Sequence, residues 1–226
     1  MALTSLTACD DGRIYTDVDV DTAGRSVKLN ANITGLNDWP DDYFVAIAGF
    51  EEGSDYAAIT KQVKADADGH VTMVMNNIPD KVNSVQLCVL DRLRRHVVTL
   101  NEADIEGIRD TIRMDLGTVD ASMFGAIQQG FLNTTCVNCH GASNHSAAGL
   151  NLTEGKAFAD LVGVDSKKVA GHKIVNPGDA KSSVLHMVLN QERVDGVSMN
   201  HFDLVSETQS KYILPLIDSW INHGAK

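Results

Sequence analysis

The chain has 226 residues and a formal net charge of -11, enough for one large domain or two small ones and too acidic for a nucleic-acid-binding protein. Its 43% apolar content is that of an ordinary globular protein, and no run of about twenty apolar residues is present to form a membrane-spanning helix. The acidity is uneven, net -10 over residues 1–120 against -1 over residues 121–226, which suggests two units.

At the start, Leu6-Thr7-Ala8-Cys9 resembles a bacterial lipobox, an apolar residue and two small ones before a cysteine that receives lipid. The resemblance implies a lipid anchor at Cys9 that ties the chain to a membrane surface without a spanning helix. The preceding residues hold no Lys or Arg and their apolar run is short, so residues 1–9 read as the truncated remnant of a lipoprotein signal. The other cysteines are Cys88, Cys136 and Cys139. One terminal, one isolated and two adjacent cysteines do not make a disulfide framework.

Residues 10–117 read as short strands. Apolar and polar residues alternate over residues 13–20 and 26–33, and residues 43–50 form a more continuous apolar run. Further strands are expected over residues 57–63, 70–75, 82–90, 96–100 and 111–116, with turn signals such as Glu52-Gly53, Asp68-Gly69 and Pro79-Asp80 between them. This spacing predicts an all-β sandwich of immunoglobulin or fibronectin type. Asp17-x-Asp19-x-Asp21 mimics the start of a calcium loop but lacks its glycine and terminal glutamate, and reads as an acidic strand face. Cys88 reads as a small buried residue.

From residue 118 the rhythm becomes helical. Phe124, Ile127, Phe131 and Leu132 have the spacing of a helix over residues 121–133, and short helices are expected over residues 156–162 and 182–189. A last helix opens on the capping box Ser206-x-x-Gln209 and stops at Gly224, with Pro215 predicting either a kink or a true start near Leu214. The fold expected is therefore two domains, an all-β immunoglobulin-like sandwich over residues 10–117 and an all-α domain over residues 118–226.

Cys136-Val137-Asn138-Cys139-His140 is a C-x-x-C-H motif. Two thiols at this spacing can add to the two vinyl groups of a haem, and the adjacent histidine then reaches the iron from beneath the ring. A thioredoxin-like pair would follow a strand, and a zinc site would need a second ligand pair at matching spacing.

On these residues the second half resembles a class I-type monohaem cytochrome c domain. The matching features are the helix before Cys136, then Cys139-His140-Gly141, Gly149-Leu150-Asn151-Leu152, Asn176-Pro177-Gly178-Asp179, the loop at Val197-Ser198-Met199, and the C-terminal helix with Trp220. The resemblance implies one covalent haem c on Cys136 and Cys139, with His140 and Met199 as axial iron ligands. Met199 lies 59 residues after His140 and is followed by Asn200 where the family usually has proline. The rival second ligand is His201. Met187 and Met123 read as core, and His186 as packed near the haem. Asn176, Pro177, Gly178 and Ser182 read either as a loop at the haem propionates or as a plain helix start, and Trp220 as core against the first helix.

The function this implies is extracytoplasmic electron transfer, lipid-anchored, with redox proteins such as a membrane-bound oxidoreductase complex as partners, no nucleic acid, and no catalytic residues. Two alternatives remain: an assembly protein whose sandwich docks a cytochrome module into a larger complex or filament, and a haem sensor with a labile sixth ligand.

Overall fold

The computed structural model describes residues 24–141 and 146–226. The lipobox cysteine Cys9, the strand expected over residues 13–20 and the Asp17–Asp21 pattern lie outside the described residues. Seven strands follow in order: β1 (Arg25–Thr34), β2 (Tyr43–Glu51), β3 (Ala57–Gln62), β4 (His70–Ile78), β5 (Val82–Asp91), β6 (His96–Ala103) and β7 (Thr111–Asp120). They form a three-stranded sheet of order β4-β1-β7 and a four-stranded sheet of order β3-β2-β5-β6. β7 runs parallel to β1; every other pairing is antiparallel.

Period-two patterning gives β1 one buried face, Val27, Leu29, Ala31 and Ile33, against an exposed row of polar residues. That face shares one hydrophobic core with Val45 and Ile47 of β2 and Val85, Leu87 and Val89 of β5. The other face of the four-stranded sheet buries Ala46, Ala48, Phe50, Cys88 and Leu90 as a second cluster. β2, with both faces covered, accordingly reads as a continuous apolar run. Burial pushes the Cys88 thiol far above its ordinary range, so it is inert at neutral pH.

Helical structure begins directly after β7. α1 (Met123–Ile127) runs on into a π-helical stretch (Gln128–Cys136) and then α2 (Val137–His140). α3 (Ala157–Leu161), α4 (Val184–Asn190) and α5 (Glu207–Asn222) follow. Ser206 and Gln209 form the expected reciprocal capping box, and α5 passes unbroken through Pro215. Its buried stripe, Tyr212, Ile213, Leu216, Ile217, Trp220 and Ile221, outweighs the one hydrogen bond that proline removes.

The expectation of an all-β domain followed by a separate all-α cytochrome c-like domain is corrected: the chain is mainly β, with two sheets and a few helices, and shows no clear division in two. The helices are short, α5 being the single long one among the described residues, and much of residues 146–206 is irregular. The core of the sheets continues without a break through Phe131, Leu132, Leu161, Leu216 and Trp220. The helices cover the edge strand β6, which would otherwise present unpaired backbone groups. The Gln129 side chain donates to the Leu100 carbonyl (2.8 Å), the Tyr212 hydroxyl to Asp55 (2.8 Å) and the Trp39 indole to the Ala121 carbonyl (2.7 Å). A Cβ on Gly130 would sit 2.9 Å from Val98, so backbone meets strand without room to spare. Gly35 makes the tightest join: at φ +76° its missing Cβ would fall 2.4 Å from the backbone nitrogen of Ser122, the α1 N-cap. Gly35→Ala combines left-handed strain with that clash and is expected to destabilise by more than about 1 kcal/mol, read as a lowered urea midpoint.

His96 on β6 carries a pH dependence. Burial holds its ring neutral, below the ordinary histidine range, against the upward pull of Asp55 and Glu102. The ring nitrogen Nε2 lies 2.9 Å from the Thr99 hydroxyl, which itself donates to Gln86 (2.9 Å) and so accepts from His96. Folding releases the proton of His96. Its contribution is complete above the unfolded value near 6.5 and is lost as pH falls through the lower folded value. Wild type is expected to lose urea stability more steeply than His96→Gln as pH drops from about 7 to 5.

Candidate functional site

The helical stretch from Met123 to His140 places its last residues by simple geometry. Cys136, Cys139 and His140 stand at i, i+3 and i+4, so all three lie on one helix face. The stretch runs seven residues past its expected end at residue 133, and the π-helical segment is the extra feature. Polar ties hold it: buried Gln128 donates to the Leu152 carbonyl (3.0 Å) and to Asn133 (2.7 Å), and Gln209 at the start of α5 donates to the Thr135 hydroxyl (2.8 Å). Leu152 N–H donates to the carbonyl of His140 (2.7 Å). A Cβ on Gly141 would lie 2.6 Å from the Val137 carbonyl oxygen, so glycine is required where the chain leaves the helix.

Below this face lie two adjoining cavities, of about 280 and 370 Å³, which share Cys136, His140, Leu189, Val197 and His201 among their walls. The first is walled mainly by apolar side chains from α3, α4 and the irregular segment between them, including Leu161, Val164, Ile174, Leu185 and Val188. The second opens toward Phe131, Cys139, Met199 and Leu204. Met199, Phe202 and Leu204 are exposed beside it.

The His140 Nδ1 lies 2.9 Å from the Ala147 carbonyl oxygen. The His201 Nδ1 lies 3.0 Å from that of Met199. A neutral imidazole there donates Nδ1–H, which leaves the lone pair on Nε2. Burial, with His201 adding to it, holds His140 below its ordinary range despite the bond to Ala147, so the ring is neutral at pH 7. The two rings are 6.2 Å apart between centroids and 20° from parallel.

Burial, reinforced by Cys139, pushes the Cys136 thiol up to about 12. A thiol that stays protonated at neutral pH is a poor attacking group for disulfide exchange, which disfavours a thioredoxin-like role for this pair. Both cysteines are free thiols in the fold, Cys136 partly buried and Cys139 exposed.

The expectation of one covalent haem c with His140 and Met199 as iron ligands is corrected. Met199 is 51% exposed, the ring facing His140 is that of His201, and among the described residues no group of three or more His, Cys, Asp or Glu is arranged to hold a metal ion. His186 is also placed differently: its Nδ1 pairs with Asp218 of α5 (2.7 Å) and it does not wall either cavity. The Asn176–Ser182 loop is a strap. Gly178 N–H donates to the Ile221 carbonyl (2.7 Å) and Ala180 N–H to the Asn222 side chain (3.0 Å), fastening it to the end of α5. Trp220 is buried beside Phe124, ring centroids 5.1 Å apart, and its indole donates to the Lys226 carbonyl (3.0 Å). His201, two residues past Met199 on the same loop, is the side chain that the fold brings opposite His140.

Comparison with family models, with curated proteins and with solved structures returns no match. The cytochrome c resemblance is corrected accordingly, since neither a family model nor the mainly β fold carries it.

Proposed function

We propose that this protein is an extracytoplasmic electron carrier whose redox centre occupies the cleft under the Cys136–His140 helix face. The observation that carries the reading is the joint placement of two thiols and a neutral imidazole on one helix face above apolar cavities. An apolar enclosure lowers the reorganisation that electron exchange demands, and Cys136, Cys139 and His140 would face that centre.

Redox partner proteins would dock at the cleft mouth, where Met199, Phe202 and Leu204 offer exposed apolar surface. The acidic first half would steer a basic partner at low salt. The lipobox-like Cys9 supports an anchor at a membrane surface outside the cytoplasm; among the described residues no helix is long and apolar enough to cross a membrane.

Reduction and reoxidation of the exported chain, followed by its absorption, tests the reading. The expected result is a reversible redox couple that is lost from the Cys136→Ala/Cys139→Ala variant. An exported protein without such a couple would sink the reading.

A further inference from the structure

We infer that the outer edge of β7 is a self-association surface, on which a second copy of this chain docks its own β7 in antiparallel. Two three-stranded sheets then join into one of order β4-β1-β7-β7-β1-β4. The inference goes beyond the electron-carrier reading and does not rest on it. β7 is the last strand of its sheet, paired with β1 on its inner side. Among the described residues no hydrogen bond from outside β1 reaches its backbone. A Cβ on Gly117 would meet nothing within 4 Å, so the space beside the strand is open there. Other edges are guarded. The helices cover β6, and the Lys61 ammonium donates to the Val74 carbonyl of β4 (2.6 Å). An uncovered row of N–H and C=O groups such as that of β7 is a template for a further strand.

The side chains of β7 select the occupant. Ile112 and Met114 are buried, while Arg113 and Asp115 alternate with them on the exposed face. Among the described residues neither charge has an ion-pair partner. Arg113 instead lies beside Lys28 of β1, and Asp115 beside Asn30. Charges on an edge strand ordinarily deter pairing. Here the two signs are opposite and the residues stand two apart. A two-fold axis through Met114 therefore sets each Arg113 directly opposite the second copy's Asp115, twice by symmetry. Opposite charges stabilise an antiparallel pair across the strands, and like charges destabilise it. Slipping the pair by two residues either way sets Asp115 against Asp115 or Arg113 against Arg113. Slipping it by one sets an exposed residue against a buried one. One register is thus matched in both charge and face. A bulge, with Leu116 and Gly117 opposite Ala31 alone, ends the regular stretch. The ladder is therefore short, and the dimer is of the weak, reversible class.

The test is sedimentation equilibrium of the full chain at about 1 μM to 1 mM, for wild type, Arg113→Asp, Asp115→Arg and the double variant Arg113→Asp/Asp115→Arg. Both side chains are exposed, so all four proteins are expected to share one urea midpoint. Wild type is expected to pass reversibly from monomer to dimer. Each single variant sets like charges opposite each other at two symmetric places and is expected to weaken the dimer by about tenfold or more. The double variant exchanges the two charges, keeps them complementary, and is expected to recover the wild-type constant within about threefold. That recovery separates a matched pair from a mere loss of charge. A wild type that stays monomeric throughout, single variants that associate like wild type, or a double variant as weak as the singles overturns the inference. None of these outcomes bears on the redox couple, so the dimer and the electron carrier stand or fall separately.

Discussion

Trp220→Ala is expected to lower the stability of the whole chain by about 3–5 kcal/mol, measured as a shift of one cooperative urea transition. The indole is 1% exposed and is among the largest side chains fully buried in the molecule. It packs against Phe124 of α1, and its N–H ties down the C-terminal residue Lys226. Removing it leaves a cavity and strands that carbonyl. Because the core runs unbroken from the sheets into α5, the strands should lose protection along with the helices. Amide exchange of Leu87 and Val89, at the centre of β5, is expected to accelerate in step with that of Leu216. Separate transitions, with the strands unaffected, would show two independent units.

His140→Ala is expected to do the opposite: abolish electron exchange while leaving the fold standing. The ring is partly exposed, and its one hydrogen bond among the described residues, to Ala147, contributes on the order of 0.5–1.5 kcal/mol. Functionally it is the imidazole that the Cys136–Cys139 face presents to the cleft. Electron uptake from a small-molecule reductant, followed optically, should fall below detection in the variant, and its urea midpoint should move only slightly. Retained electron exchange in His140→Ala would remove this residue from the site.

The strands were legible because burial in a two-sheet arrangement writes a period of two into β1 and a solid apolar run into β2, whose two faces are both covered. The joining of the two halves was not. It depends on backbone acceptors such as the Leu100 and Ala121 carbonyls and on single side chains such as Tyr212, which leave no periodic trace, while the charge asymmetry and the change of rhythm after Asp120 pointed to a division. The helix carrying the motif is legible only to residue 133, since its apolar positions end there and the polar Asn133, Thr134 and Thr135 carry it on, with the Thr134 hydroxyl bonded back to the Gly130 and Phe131 carbonyls. Pro215 invited a break that the buried stripe of α5 overrides. At the site, the face shared by Cys136, Cys139 and His140 follows from spacing alone. The placement of Met199 and His201 does not, because two residues of loop can turn either side chain inward; in the fold the His201 ring faces His140 and Met199 is exposed.

A redox titration of the exported protein, monitored by its absorption spectrum, bears most directly on the electron-carrier reading. The expected result is one reversible one-electron transition in wild type, absent from both His140→Ala and Cys136→Ala/Cys139→Ala. A wild-type protein with no reversible transition, or a transition that survives both variants, would contradict a redox centre in this cleft.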